Sequence, residues 1–69
     1  MIEQKTVMYA NLLAEMARHG ESSAMMAELL NLSPPSFTRR LKGEVEFSKS
    51  EIDTICVHYN MTYEYLFGH

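Results

Sequence analysis

The chain has 69 residues and a formal net charge of −3, a size that points to one domain, residues 1–69, with little stability to spare. A single cysteine, Cys56, excludes an intrachain disulfide, and no apolar run approaches the ~18–20 residues of a membrane span. With 46% hydrophobic residues the chain is no disordered tail.

No basic stretch followed by an apolar core opens the chain, so no secretion signal is expected and a cytoplasmic setting is. The sequence starts at Met1 and stops just after its last predicted helix, as expected of a whole small protein. Its six basic residues are Lys5, Arg18, Arg39, Arg40, Lys42 and Lys49, and the last four fall in one short window. Glu44 and Glu46 dilute that window, while most other acids lie outside it. The molecule is expected to carry one basic edge on an acidic body.

Turn residues divide the sequence into five helical pieces, with no strand-like alternation. The first runs from about Glu3 to Arg18, with Met8, Leu12, Leu13, Met16 and Ala17 on one face. Gly20 stops it, and Arg18 and His19 suit the negative end of its dipole. The second spans Ser23 to Leu30. Ser22 or Ser23 can cap it, Met26, Ala27 and Leu30 form its core stripe, and Asn31 suits a left-handed stop.

The third piece spans Pro34 to Lys42. Ser33 is its expected N-cap, and Pro34 costs nothing at the first helical position. Phe37 and Leu41 face the core, Ser36, Arg39 and Arg40 stay largely outside, and Gly43 closes it. A loop over residues 44–47 offers Val45 and Phe47 as anchors. Ser48 and Glu51 then form a capping box, followed by Ile52, Ile55, Cys56 and Tyr59 at helical spacing. Asn60 ends the fourth helix, and Thr62 caps a last turn from Tyr63 to Phe67.

Two short helices joined by three residues make a helix-turn-helix pattern. Over Ser22–Gly43, "SSAMMAELLNLSPPSFTRRLKG" resembles the Cro/repressor helix-turn-helix family of phages and bacteria. Ala27 stands where that family places a small residue between its two helices. Asn31 replaces the usual turn glycine. Leu32 and Phe37 match the buried positions, and Ser33 the cap of the recognition helix. "FTRRLKGEVEFSKSEI" resembles a subgroup found in Gram-positive phages and prophages, and "MTYEYLF" resembles the fold's last helix. The resemblance covers about residues 11–67. It implies an all-α, compact five-helix, lambda-repressor-like domain.

It also implies a sequence-specific transcriptional regulator of double-stranded DNA, with the third helix in the major groove. On this reading Pro34, Pro35, Ser36 and Arg39 face bases, and Arg39 can grip guanine O6 and N7 together. Arg40, Lys42 and Lys49 meet phosphates. Ser22, Ser23 and Ser33 are caps first and phosphate contacts second, as are Ser48 and Ser50 at the fourth helix. The competing reading of Arg39 and Arg40 is a solvated face tied to Glu44 or Glu46.

Nothing in the sequence implies an enzyme, a cofactor or a metal. His19, His58 and His69 lack ligand spacing, and Cys56 falls on an apolar stripe. Met8, Met16 and Met26 read as core filler, and Met25 and Met61 as partly exposed. Tyr63, Tyr65, Leu66 and Phe67 crowd one short helix, so they are expected to serve a homodimer interface. The rival reading is a protein-interaction module on the same fold, an antirepressor or repressor modulator whose partner is a phage protein rather than DNA. The acidic charge and the apolar Pro34–Pro35 start favour that rival.

Overall fold

The computed structural model describes residues 9–68. Five helices fill them, and no strand is present among the described residues: α1 (Ala10–Arg18), α2 (Ser23–Leu29), α3 (Pro34–Leu41), α4 (Lys49–Tyr59) and α5 (Tyr63–Phe67). The expected helical start near Glu3 and the expected core position of Met8 lie outside the described residues. No helix here is long and apolar enough to cross a membrane.

Local chemistry sets the helix ends. The hydroxyls of Ser22, Ser33, Ser48 and Thr62 each accept a backbone N–H three residues on. This satisfies donors that the first helical turn leaves free. Ser48 and Glu51 complete a reciprocal capping box. The other ends use left-handed residues: Gly20, Asn31, Gly43 and Asn60 have φ of 67°, 61°, 82° and 55°. At each, two backbone bonds close the last turn. After α2, Leu32 N–H donates to Ala27 O at 2.8 Å and Asn31 N–H to Glu28 O at 3.1 Å. That pairing is a Schellman motif, which turns the chain sharply without orphaned carbonyls.

The core joins Leu12 and Met16 of α1, Met26 and Ala27 of α2, Phe37 of α3, Ile55 and Tyr59 of α4, and Leu66 and Phe67 of α5. Leu13, Leu30, Leu32, Leu41, Ile52 and Cys56 pack partly buried around it. Phe47 contributes from the α3–α4 loop. Its ring meets Tyr9, Phe37 and Phe67 edge-on, with centroids 5.5, 6.0 and 5.4 Å away. Val45, the other expected anchor, stays exposed.

Several expectations need correction. Ala17 is exposed, and Glu15 is buried instead. The buried face of α1 runs through Leu12, Glu15 and Met16, at i, i+3 and i+4, so Ala17 falls beyond its edge. Glu15 is tolerated inside because Arg18 donates to it at 2.9 Å and the Tyr65 hydroxyl at 3.1 Å. Cys56 is half-buried rather than enclosed. Leu66 and Phe67, expected at an intersubunit surface, belong to the chain's own core. A five-residue helix packed on both α1 and α4 spends those two side chains inward and leaves Tyr63 and Tyr65 exposed.

Phe47 ties a loop to three parts of the core, so its loss leaves a cavity that short helices cannot close. Phe47→Ala should cost about 3 kcal/mol or more, whereas Val45→Ala should stay within about 0.5 kcal/mol. Urea unfolding followed by circular dichroism measures both, and equal losses would contradict the assignment of Phe47 as the anchor.

Candidate nucleic-acid interface

The turn between α2 and α3 positions the candidate interface. Asn31 supplies the left-handed residue and Leu32 tucks against the core, so α3 starts at a fixed angle to α2. The two helices pack closely, and Ala27 of α2 is buried. Ser33 caps α3, and its hydroxyl also donates to the Ser36 hydroxyl at 3.0 Å. Pro34 and Pro35 sit exposed at the first turn, and Ser36 is half-buried.

The two neighbouring arginines of α3 differ in their surroundings. Arg39 is exposed and forms no ion pair among the described residues. Arg40 folds back over α3: its Nε donates to Glu51 Oε1 at 3.0 Å and its Nη1 to the Ser36 carbonyl at 3.1 Å. The side chains of Arg40 and Glu51 are only 18% and 14% exposed. Arg40 was expected to stand largely outside, with Glu44 or Glu46 as the competing partner. The actual partner is Glu51, because the capping box already holds that carboxylate beside α3. Its Oε1 accepts the Ser48 N–H at 2.9 Å as well.

Neither Glu44 nor Glu46 pairs with an arginine among the described residues. Lys42 is exposed at the end of α3, and Lys49 at the start of α4 has only a distant contact, 3.9 Å to Asp53. Arg39, Lys42 and Lys49 are thus left exposed, with Glu44 and Glu46 exposed in the loop between Lys42 and Lys49. Ser22 caps α2, Ser23 is half-buried in its first turn, and Ser48 and Ser50 hydrogen-bond each other at 3.2 Å.

A family model for the Cro/C1-type HTH DNA-binding domain matches residues 11–69. The chain belongs to that family. The match takes in all of α2, the turn and α3, so this Cro/C1-type domain is a DNA-binding helix-turn-helix regulator, a class generally without catalysis. Comparison with curated proteins and with solved structures returns no match.

A second polar cluster holds the front of α2 in this Cro/C1-type domain. Glu21, just before the Ser22 cap, receives the Tyr59 hydroxyl at 2.6 Å, and His58 Nε2 lies 2.7 Å from its other oxygen. The Tyr59 ring also lies against His58 and His19, with centroids 4.8 and 5.1 Å away. The Tyr59 bond is the main cause holding the Glu21 carboxyl below the usual glutamate range; partial burial opposes it and His58 adds to it. Burial first, and the Glu21 bond second, push the Tyr59 phenol up. Burial likewise raises the Cys56 thiol, which stays protonated near neutrality. Sequence reasoning placed Glu51 only in the Ser48 capping box and missed its bond to Arg40, and it missed Glu21 as the partner of His58 and Tyr59. The partners of Glu21 and Glu51 are 37, 38 and 11 residues away, so no local spacing marks them.

The lowered Glu21 carboxyl makes stability depend on acid. Its contribution is present above the unfolded glutamate value, about 4.3, and is lost as pH falls through the lower folded value. Urea midpoints measured from pH 7 down to 3 should therefore drop more steeply for the wild type than for Glu21→Gln, which should be less stable at pH 7. Parallel acid limbs would show that Glu21 is not linked to folding.

Proposed function

We propose that the protein is a sequence-specific transcriptional regulator that reads the major groove with α3. The observation that carries this is Arg39, an exposed guanidinium on α3 without an ion pair among the described residues, three and four positions after Ser36 and Pro35. Those spacings put Pro35, Ser36 and Arg39 on one helix face. Arg39 binds a guanine edge with two parallel bonds, the Pro34 and Pro35 rings pack against a thymine methyl, and the Ser36 hydroxyl meets a base or phosphate. Lys42 and Lys49 hold phosphates on either side, which fixes register without reading sequence.

The regulator works in the cytoplasm as a homodimer on two half-sites about 34 Å apart. Tyr63 and Tyr65, 55% and 37% exposed, support that contact. Tyr63 borders an open groove lined by Tyr9, Phe47, Ile52 and Phe67, where a second copy finds apolar surface. Occupying an operator, the dimer blocks polymerase.

Binding of a sequence enriched from random duplexes, titrated against salt beside unselected DNA, tests the reading. The enriched site should bind more tightly, and affinity for both should fall with salt. Arg39→Ala should remove about 1–3 kcal/mol of discrimination, and Lys42→Ala should weaken both DNAs alike and lower the salt slope by about 1. Absence of binding at low salt would instead favour the protein-partner reading that the acidic net charge allows.

Sedimentation tests the dimer separately. The wild type should associate at high concentration or on a two-fold site, and Tyr63→Lys should stay monomeric while remaining folded. A wild type that stays monomeric both alone and on DNA would remove the dimer.

A further inference from the structure

We infer that Arg40 and Glu51 form a positioning clamp that sets the pose of the reading helix, so that a half-buried acid, Glu51, is required for sequence discrimination. The inference rests on the DNA-reading function proposed above. It reassigns Arg40 from a phosphate contact to a residue that acts through its neighbours.

The geometry makes the case. Arg40 bridges two places that matter for reading DNA. Its Nη1 holds the Ser36 carbonyl, in the first turn of α3, and its Nε holds the Glu51 carboxylate, in the first turn of α4. The same Glu51 oxygen accepts the Ser48 N–H and so caps α4. One carboxylate thus fastens α3 to the capped start of the next helix. Among the described residues, this is the ion pair that joins α3 to another element. Elsewhere α3 is held by its packing on α2 and by Phe37 against Phe47. Apolar contacts resist separation but tolerate small rotations. The bond to Ser36 fixes the guanidinium on α3 itself, and the directional bond to Glu51 then restricts rotation of α3 against α4.

With both side chains largely buried, Glu51 offsets the Arg40 charge at close range. Arg40 then has little field left for a phosphate, whereas exposed Arg39 keeps its own. Adjacent arginines divide the work: Arg39 reads, and Arg40 aims it.

Glu51→Gln separates this from a phosphate role. The amide still accepts the Ser48 N–H, so the cap persists, while the charge that holds Arg40 is gone. Arg40→Lys is the companion variant, since it keeps the charge but lacks the fork. Each is titrated against salt on the enriched site and on unselected duplex, with thermal melts confirming a folded protein. The clamp predicts that both variants lose selectivity, the ratio of the two affinities, by about tenfold, a part of what one bidentate base contact supplies. Arg40→Lys should leave the salt slope and the affinity for unselected DNA as before, whereas Glu51→Gln, which uncovers the Arg40 charge, should bind unselected DNA at least as tightly as the wild type. A merely destabilised fold would lower both affinities together and leave the ratio intact.

The clamp is overturned if Glu51→Gln tightens both DNAs by the same factor and so keeps their ratio, because a freed Arg40 would then act on phosphates alone. It is equally overturned if Arg40→Lys keeps full selectivity, or if both variants keep the ratio. Arg39→Ala, run in parallel, separates the two levels. Wild-type selectivity that Arg39→Ala abolishes upholds the reading function whatever the clamp variants do. A wild type without selectivity removes that function and the clamp with it.

Discussion

The structure depends on Phe47, a residue that belongs to no helix. Its ring stands edge-on to Tyr9, Phe37 and Phe67 and so links the start of α1, α3 and the last helix. A chain this short, without a disulfide, has few large side chains to spare for closing its core. The loop is therefore part of the core rather than a tether. α3 can present a face to a partner because its opposite face, through Phe37, is held by that loop.

Around the aromatic centre, three carboxylates act as fasteners. Glu15 ties α1 to α5 through the Tyr65 hydroxyl, and the Asn11 amide adds a bond to the Tyr65 carbonyl at 2.7 Å. Glu21 ties the start of α2 to the end of α4 through Tyr59 and His58. Glu51 ties α3 to α4 through Arg40. Their side chains are 1%, 16% and 14% exposed. Two of these three carboxylates each take up an arginine, Arg18 and Arg40, so the pairing removes both signs alike and leaves the net charge of −3 in place. What remains exposed in and just after α3 is mixed, Arg39 and Lys42 followed by Glu44 and Glu46, with Lys49 at the start of α4.

This arrangement gives the helix-turn-helix a division between rigid and exposed parts. Caps and left-handed turns satisfy the backbone of each connection locally, so the connections need no extra chain. The polar fasteners and the aromatic centre then fix how the helices lie. Only after both are in place do Pro35, Ser36 and Arg39 share a surface of defined shape, on which the proposed discrimination between DNA sequences depends.

The sequence by itself determined the elements. Ser22, Ser33, Ser48 and Thr62 mark the starts, and Gly20, Asn31, Gly43 and Asn60 mark the stops, because capping and left-handed turns act within about four residues. Helical spacing likewise exposed Met26, Ala27, Phe37, Ile55 and Tyr59 as core. The three-residue turn before a Ser-capped helix made the helix-turn-helix legible. Tertiary structure decided the rest: that Glu15 replaces Ala17 inside, that Leu66 and Phe67 turn inward while Tyr63 stays out, and that Arg40 is held while Arg39 is not. Those outcomes rest on partners 11 to 54 residues apart. Burial and charge pairing depend on what arrives from the distant chain, and periodicity along one helix carries no record of it.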